Sequence, residues 1–358
     1  MALDGNGAGP TRLRVGLIGL GEVGQHHLVA YQTSARATLV AVADLAEELT
    51  TDAASRTGAR AYGDFRDLLA DPTLQAVDVS LPHHLHLPVV LEALGRGLDV
   101  LVEKPMGLTV AECDQMIAAA QAAGRTLAVS HNQVFFAPHI EAIDLVEAGA
   151  IGRLKSARLR LGIGGRYPGW RRDPEKAGGG LLFDAGVHRF YMARAILGDP
   201  IAVVAMTDVT NPGQESEGAG TAVFDFGDER YGLIDANYDN PPGTFDDRIE
   251  IAGDAGLIAL AGCEAAFERF TTDPPLRLWR DGAWQSVETA PMDWSGSVQA
   301  AVHDFVDAIL DRRLPKVTGE DGRMVVAMIR ATYESARLGR RVEIDAVLRG
   351  TEPSLEVS

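Results

Sequence analysis

Cysteine is scarce in this chain, positive charge is in deficit, and no long apolar run occurs. Two cysteines, Cys113 and Cys263, are too few for a disulfide framework or a cysteine-ligated zinc, and they read as inert thiols. No apolar stretch approaches the roughly 18 residues that a membrane-spanning helix needs, so no membrane partner is expected. Lys and Arg number 33 against 50 Asp and Glu, a net charge of −17. Such a balance repels phosphate backbones, and no nucleic-acid partner is expected either. The opening MALDGNGAGPT, residues 1–11, lacks the apolar core of a signal peptide. It reads as a disordered lead, and a cytoplasmic location is the expectation.

What is present is a soluble, glycine-rich chain long enough for about two domains. Hydrophobic residues make up 46% and charged residues 23% of its 358 positions, and 39 are glycine. From 12 to 132 the runs RLRVGLIG, TLVAVAD, AVDVSLP, DVLVEKP and TLAVSHN alternate with helical patterns. Near-continuous hydrophobicity is what parallel strands buried on both faces show, and the alternation predicts a doubly wound Rossmann sheet. The rhythm changes over 133–358. One helical stretch, GGLLFDAGVHRFYMARAILG, precedes the runs IAVVAMTDV, GTAVFDFGD, RYGLIDANY, DRIEIAGDAG and LRLWRDG, with FGDE, NPPG and RDGA as turn signals. This predicts an α+β domain built on a large, mostly antiparallel open sheet, followed by two amphipathic helices.

The first strand runs into Gly19-Leu20-Gly21-Glu22-Val23-Gly24, a G-x-G-x-x-G at a strand-to-helix junction. Gly19 permits the tight turn, Gly21 lets a pyrophosphate approach, and Gly24 allows close helix–strand packing. Free N–H groups at the helix start supply the local field that an anionic cofactor needs. Asp44 ends the second strand 20 residues after Gly24, where a carboxylate bonds the adenosine ribose. A carboxylate there repels a 2′-phosphate, so NAD is favoured over NADP, with Arg56 and Arg60 as the cations within reach that would offset it.

Two further stretches carry chemistry. Glu103-Lys104-Pro105 ends a strand, where ligands of open α/β sheets bind, and Pro105 biases Lys104 toward extended backbone. A lysine there can bond a substrate hydroxyl and help relay its proton, or be a solvated loop residue. Asp184 and His188 are four residues apart. On one helix they would share a face, among the apolar Leu181, Leu182, Phe183, Val187 and Phe190. Either they form a satisfied buried pair, or His188 is a general base that Asp184 orients.

In order and spacing these residues resemble the Gfo/Idh/MocA oxidoreductases, the glucose–fructose oxidoreductase and inositol dehydrogenase relatives. The resemblance extends to Leu81-Pro82 with His86 and Ala93-Leu94, to Trp170-Arg171, and to Arg248-Ile249-Glu250-Ile251 with Gly253 and Gly256. It implies an NAD(P)-dependent enzyme acting on a secondary alcohol of a sugar, cyclitol or related polyol. Lys104, Asp184 and His188 would be its catalytic set. Gly19, Gly21, Glu22, Val23, Gly24, Asp44, Leu81, Pro82, His86, Glu103 and Lys104 would hold the cofactor. Asn132, Phe135, Arg166, Trp170 and Arg171 are added as candidate substrate contacts, each of which domain packing would equally explain. The resemblance also implies a homodimer or homotetramer formed through the C-terminal sheet.

Two departures bear on the substrate. Tyr191 stands where many relatives carry an acid three residues after the histidine, and Gln133-Val134-Phe135 stands where relatives often read Arg-Arg-Phe. His83, His84 and His86 invite a metal reading, but no cysteine is near and no metal site is expected; a cluster touching the cofactor suits them better. His26 and His27 read as structural or solvated. Two rival functions stay open: NAD-assisted glycoside cleavage with transient oxidation, and a non-catalytic dinucleotide-binding regulator. A regulator has no need of Lys104, Asp184 and His188.

Overall fold

Strands buried on both faces cannot alternate polar and apolar residues, and the first sheet obeys this rule. In β4 (Ala76–Val79) and β5 (Asp99–Glu103) every residue is buried. With β1 (Leu13–Ile18), β2 (Ala37–Ala43), β3 (Arg60–Tyr62) and β6 (Leu127–Ser130) they form a six-stranded sheet in the order β3-β2-β1-β4-β5-β6. All its pairings are parallel. The order reverses between β1 and β4, which opens a crevice beyond their carboxyl ends. Strand β3 is not among the apolar runs of the sequence. It is a three-residue edge, largely exposed, and carries no burial pattern to read. The computed structural model describes residues 12–208, 216–262 and 275–351; the lead 1–11 and Cys263 lie outside them.

The second sheet has nine strands in the order β14-β13-β12-β11-β7-β10-β9-β8-β15. They are β7 (Leu154–Ile163), β8 (Ala202–Asp208), β9 (Ala219–Asp225), β10 (Tyr231–Asn237), β11 (Phe245–Gly253), β12 (Leu257–Ala261), β13 (Leu276–Arg280), β14 (Ala283–Ser286) and β15 (Val342–Glu343). Pairing is antiparallel throughout except between β10 and β7. The central strand β7 was not among the runs singled out. Its alternation is clear once seen: Ala157, Leu159 and Leu161 are buried, while Arg158 and Arg160 face outward. The inner face packs against the helices Val187–Leu197 and Gly319–Leu338. The outer face is open and partly apolar, with Met206 79% and Val204 51% exposed.

Two features differ from the sequence expectation. The stretch from Gly179 to Gly198 is not one helix: Leu181–Asp184 and Val187–Leu197 are separate. Gly186 sits at the break, so tightly placed that a Cβ there would fall 2.7 Å from the Leu182 Cα. Asp184 and His188 therefore do not share one helical face. The second feature is the helix Trp294–Asp311, which returns to the first sheet and packs on the helix Glu22–Thr33. Val302, Phe305 and Val306 join Leu13, Leu28 and Tyr31 in one apolar cluster. Arg36 pairs with Asp307 at 2.6 Å beside it, but exposed pairs contribute only about 0–1 kcal/mol, so the apolar contact holds the helix. Among the described residues no helix is long and apolar enough to cross a membrane.

Candidate active site

The glycine turn is built by exclusion. Gly19 has φ 94°, and a Cβ on it would lie 2.2 Å from the Ser80 carbonyl oxygen. A Cβ on Gly24 would lie 2.2 Å from the Gly19 carbonyl oxygen, whereas Gly21 has open space around it. The helix that follows begins at Glu22 with no side-chain cap, so its first N–H groups are left for another acceptor. The Asp44 carboxylate is held at the end of β2, accepting from Leu20 N at 2.8 Å and Ala46 N at 2.9 Å. These residues fit a dinucleotide: the turn requires glycine at 19 and 24, leaves room for a ligand over Gly21, and its donors and Asp44 face one cleft.

That cleft, about 240 Å³, brings Gly19, Gly21, Glu22, Val23, Gly24, Asp44, Leu81, Pro82, Glu103 and Lys104 together. His86 does not line it. It is fully buried, with its ring nitrogens 2.9 Å from the Pro105 and 2.8 Å from the Leu81 carbonyl oxygens, and so ties two loops beneath the cleft. His83 lines it instead, its Nδ1 2.7 Å from the Ala177 carbonyl oxygen and its ring edge-on to Trp170. His83 and His86 are thus tied to different carbonyl groups although their rings lie 5.8 Å apart, and among the described residues no group of three His, Cys, Asp or Glu is placed to hold a metal ion.

A second cleft of about 350 Å³ shares Glu22, Val23, Glu103, Lys104, Arg171 and Asp184 with the first. Where the two meet, side chains converge on Asp184. Lys104 Nζ donates to its carbonyl oxygen at 2.8 Å and lies 3.9 Å from Oδ1. Arg171 Nε is 3.1 Å from Oδ2, and His83 Nε2 is 3.7 Å from Oδ1. The Lys104–Pro105 peptide is cis. His188 borders the second cleft with Nδ1 buried and unpartnered, so Nε2 is the nitrogen that reaches the opening. Burial above all, then the charge of Lys104 and neighbouring His131, holds the His188 pKa well below the ordinary histidine value.

Not every candidate from the sequence reaches these clefts. Asn132 does, its amide donating to Ser297 Oγ at 2.7 Å. Phe135 does not: it is buried, with Lys316 Nζ 5.3 Å from its ring centre. Arg166 lines a smaller side cavity, described below. Gln133 accepts from the fully buried Arg189, and Tyr191 stacks on His131 at 4.5 Å. Those departures therefore sit behind His188 rather than in the cleft. Tyr167, Phe245 and Trp294 line the second cleft without having been singled out; none lies in a local motif, and only the chain's return path brings them there.

Under the floor lies a buried charged group. His27 Nδ1 is 2.8 Å from Asp78 Oδ2 and Nε2 is 3.2 Å from Glu103 Oε1, with the Tyr31 hydroxyl donating to Asp78 at 2.9 Å. Burial opposes the imidazolium, but the two carboxylates outweigh it and raise His27 to about 10. Burial likewise opposes the Glu103 carboxylate, yet His27 and Lys104 pull it down to about 2. Glu103 Oε2 accepts from Lys104 N at 3.1 Å, so this group fixes the backbone that aims Lys104. His27 is accordingly structural. Cys113, the one described cysteine, is buried, and its thiol is pushed up to about 12 by burial first and then Glu112 and Asp114.

A dinucleotide turn feeding a cleft that gathers a lysine, a carboxylate and a histidine defines a nicotinamide-dependent oxidoreductase. Residues 13–131 match the oxidoreductase family NAD-binding Rossmann fold and 139–259 the GFO/IDH/MocA C-terminal domain; the chain belongs to the GFO/IDH/MocA oxidoreductase family. It is 28% identical over 342 residues to a 1,5-anhydro-D-fructose reductase of Ensifer adhaerens, covering 94% of this chain and 99% of that one. It is 26% identical over 359 residues to a myo-inositol 2-dehydrogenase of Thermotoga maritima, covering 94% and 100%. Among solved structures, GenD2 from gentamicin A biosynthesis in complex with NAD has a TM-score of 0.81 at 31% identity, with 93% and 96% of the two chains covered. Levoglucosan dehydrogenase in complex with NADH and levoglucosan has a TM-score of 0.80 at 25% identity, with 93% and 100% covered.

Proposed function

We propose that the protein is an NAD-preferring dehydrogenase acting on a secondary alcohol of a sugar, cyclitol or related polyol. The observation that carries this reading is the convergence of Lys104, Arg171 and His83 on Asp184 where the two clefts meet, with His188 at their border. The nicotinamide, when bound, supplies the hydride acceptor. The protein orients the alcohol and manages its proton. Lys104 Nζ faces the developing alkoxide, where a fixed ammonium in a partly dry site stabilises negative charge. His188 Nε2, kept neutral by burial, is the nitrogen placed to take the hydroxyl proton as the hydride leaves. Asp184, held by Arg171 and by the Lys104 bond to its carbonyl, positions the pair and accepts from a second substrate hydroxyl. Sugar and cyclitol oxidoreductases among the relatives support this substrate class. The test is NADH formation from myo-inositol, levoglucosan, 1,5-anhydrosugars and pyranoses, with NADP in parallel. Cleavage of a glycoside without net NADH would replace this reading, and absence of NAD(P) binding in calorimetry would end it.

NAD preference rests on Asp44 and on what surrounds it. Arg56 is engaged with Asp52 at 3.1 Å and Gln25 at 2.9 Å, and Arg60 with Asp71 and Thr73, so neither is free to receive a 2′-phosphate. Leu45, the next residue, is 94% exposed and offers no cation. Asp44→Ala should therefore shift the NAD-to-NADP ratio of kcat/KM toward NADP by roughly tenfold or more, the scale of about 1.4 kcal/mol of relieved repulsion. An unchanged ratio would place the discrimination elsewhere. We assign the open outer face of the second sheet, with Met206, Val204 and Val223, to pairing between copies.

A further inference from the structure

Beside the reaction cleft lies a smaller cavity of about 170 Å³ that shares Tyr167, Arg171 and Asp184 with it. Three arginines line this cavity: Arg166, Arg171 and Arg172. Its two carboxylates are already engaged. Glu217 is buried and accepts from Gly180 N at 2.8 Å, Leu182 N at 2.9 Å and the Tyr333 hydroxyl at 2.8 Å, which makes it part of the glycine-rich turn. Asp184 is held by Arg171. Arg166 and Arg172 have no carboxylate partner among the described residues, in a chain carrying 50 acids against 33 bases.

Arg166 is also held in place. Its guanidinium carbon lies 5.1 Å above the Tyr238 ring, a cation–π contact. It also rests on Gly218, where a Cβ would fall 2.1 Å from Nη2. Glycine at 218 thus leaves the guanidinium its position. An arginine fork that is oriented, partly dry and without a carboxylate partner among the described residues suits an oxyanion group, carboxylate or phosphate, better than a hydroxyl.

We propose that this cavity is an anion subsite of the reaction cleft, and that the substrate is a sugar or cyclitol carrying a carboxylate or phosphate. The inference rests on the polyol dehydrogenase reading above. With its carbinol at Lys104 and His188, the substrate would extend past Asp184 and Arg171 to place its anionic group against Arg166, with Arg172 adding charge.

The test is calorimetry on the NAD-loaded protein with D-glucose, D-glucuronate and D-glucose 6-phosphate at constant ionic strength. At least one of the two anions should bind roughly ten- to a hundredfold more tightly than glucose, and which one does so separates carboxylate from phosphate. Arg166→Gln should collapse that advantage toward one. Gly218→Ala should do the same while keeping every charge, because its methyl displaces only the far end of the arginine. NAD affinity of both variants reports that they fold. Equal binding of all three compounds, or an advantage that survives Arg166→Gln, overturns the subsite. NADH formation is scored separately. Neutral polyols oxidised without any anion preference sink the subsite alone, whereas anion binding without oxidation of any polyol sinks the dehydrogenase reading and leaves the subsite.

Discussion

Lys104→Ala should lower kcat/KM for NAD-linked polyol oxidation by roughly 10²- to 10⁴-fold, with most of the loss in kcat. The expectation follows from position. Lys104 Nζ is bonded to the Asp184 carbonyl oxygen at 2.8 Å and stands where the two clefts join. Its side chain is only 15% exposed, so the charge acts across little water. His27, Asp78 and Glu103 lock the backbone beneath it, leaving little reorganisation when negative charge develops on the substrate oxygen. His188→Asn, which keeps a polar group but loses the base, should fall in the same range. Turnover that survives Lys104→Ala within a few-fold would rule out the assigned role and return the lysine to cofactor binding alone.

The largest effect on stability should come from acid. His83, His86, His131, His139 and His188 are all buried, and burial is the main cause of a lowered pKa in each, to about 3 for His131 and about 4 for His139. In the unfolded chain each titrates near the ordinary value of about 6.5. At these five positions the folded state therefore binds fewer protons, so their contribution to stability is full above pH 6.5 and falls as pH drops below it. Each such imidazole removes up to about 1.4 kcal/mol per pH unit. His27 does not add to this loss. Raised to about 10, it is protonated in both states below pH 6.5, and its contribution fades only as pH climbs toward 10. Glu103, lowered to about 2, stays ionised until well below the ordinary carboxylate range. Thermal unfolding should thus move down by about 10 °C or more between pH 6.5 and 5, before carboxylates in the unfolded chain titrate appreciably. A transition temperature that is flat from pH 7.5 to 5 would mean that these histidines are not neutral and buried as described.

The parts of the site legible in sequence are those set by local backbone demands. Gly19 and Gly24 each stand where a Cβ would strike a carbonyl oxygen, and that constraint leaves its mark within six residues. Lys104 could be placed because a strand ending at Glu103 fixes which end of the sheet it faces. Other parts were hidden. The break at Gly186 rests on a close backbone approach to Leu182 that a single glycine inside an apolar helical pattern does not announce, so Asp184 and His188 read as one helical face. Strand β7 carries Arg158 and Arg160 on alternate positions, which interrupts the apolar run that marks a strand, though it is the centre of the second sheet. Phe135, Tyr167 and Trp294 look alike in sequence. Which of them reaches the cleft is decided by the path of distant chain segments: the first is withdrawn into the core while the other two line the opening.

The returning helix Trp294–Asp311 gives the cleft a temporal order of assembly. Val23 and Trp294 face the same opening although they lie 271 positions apart in the chain. During synthesis the Rossmann sheet has all its strands once Ser130 has emerged, and domains fold from the N-terminus as they appear. Its substrate side then stays open until Trp294 and Val298 arrive and the helix docks on Glu22–Thr33. A nascent or prematurely ended chain can therefore shape the glycine turn while lacking the wall of the reaction cleft, which is complete only once Trp294 and Val298 have been made.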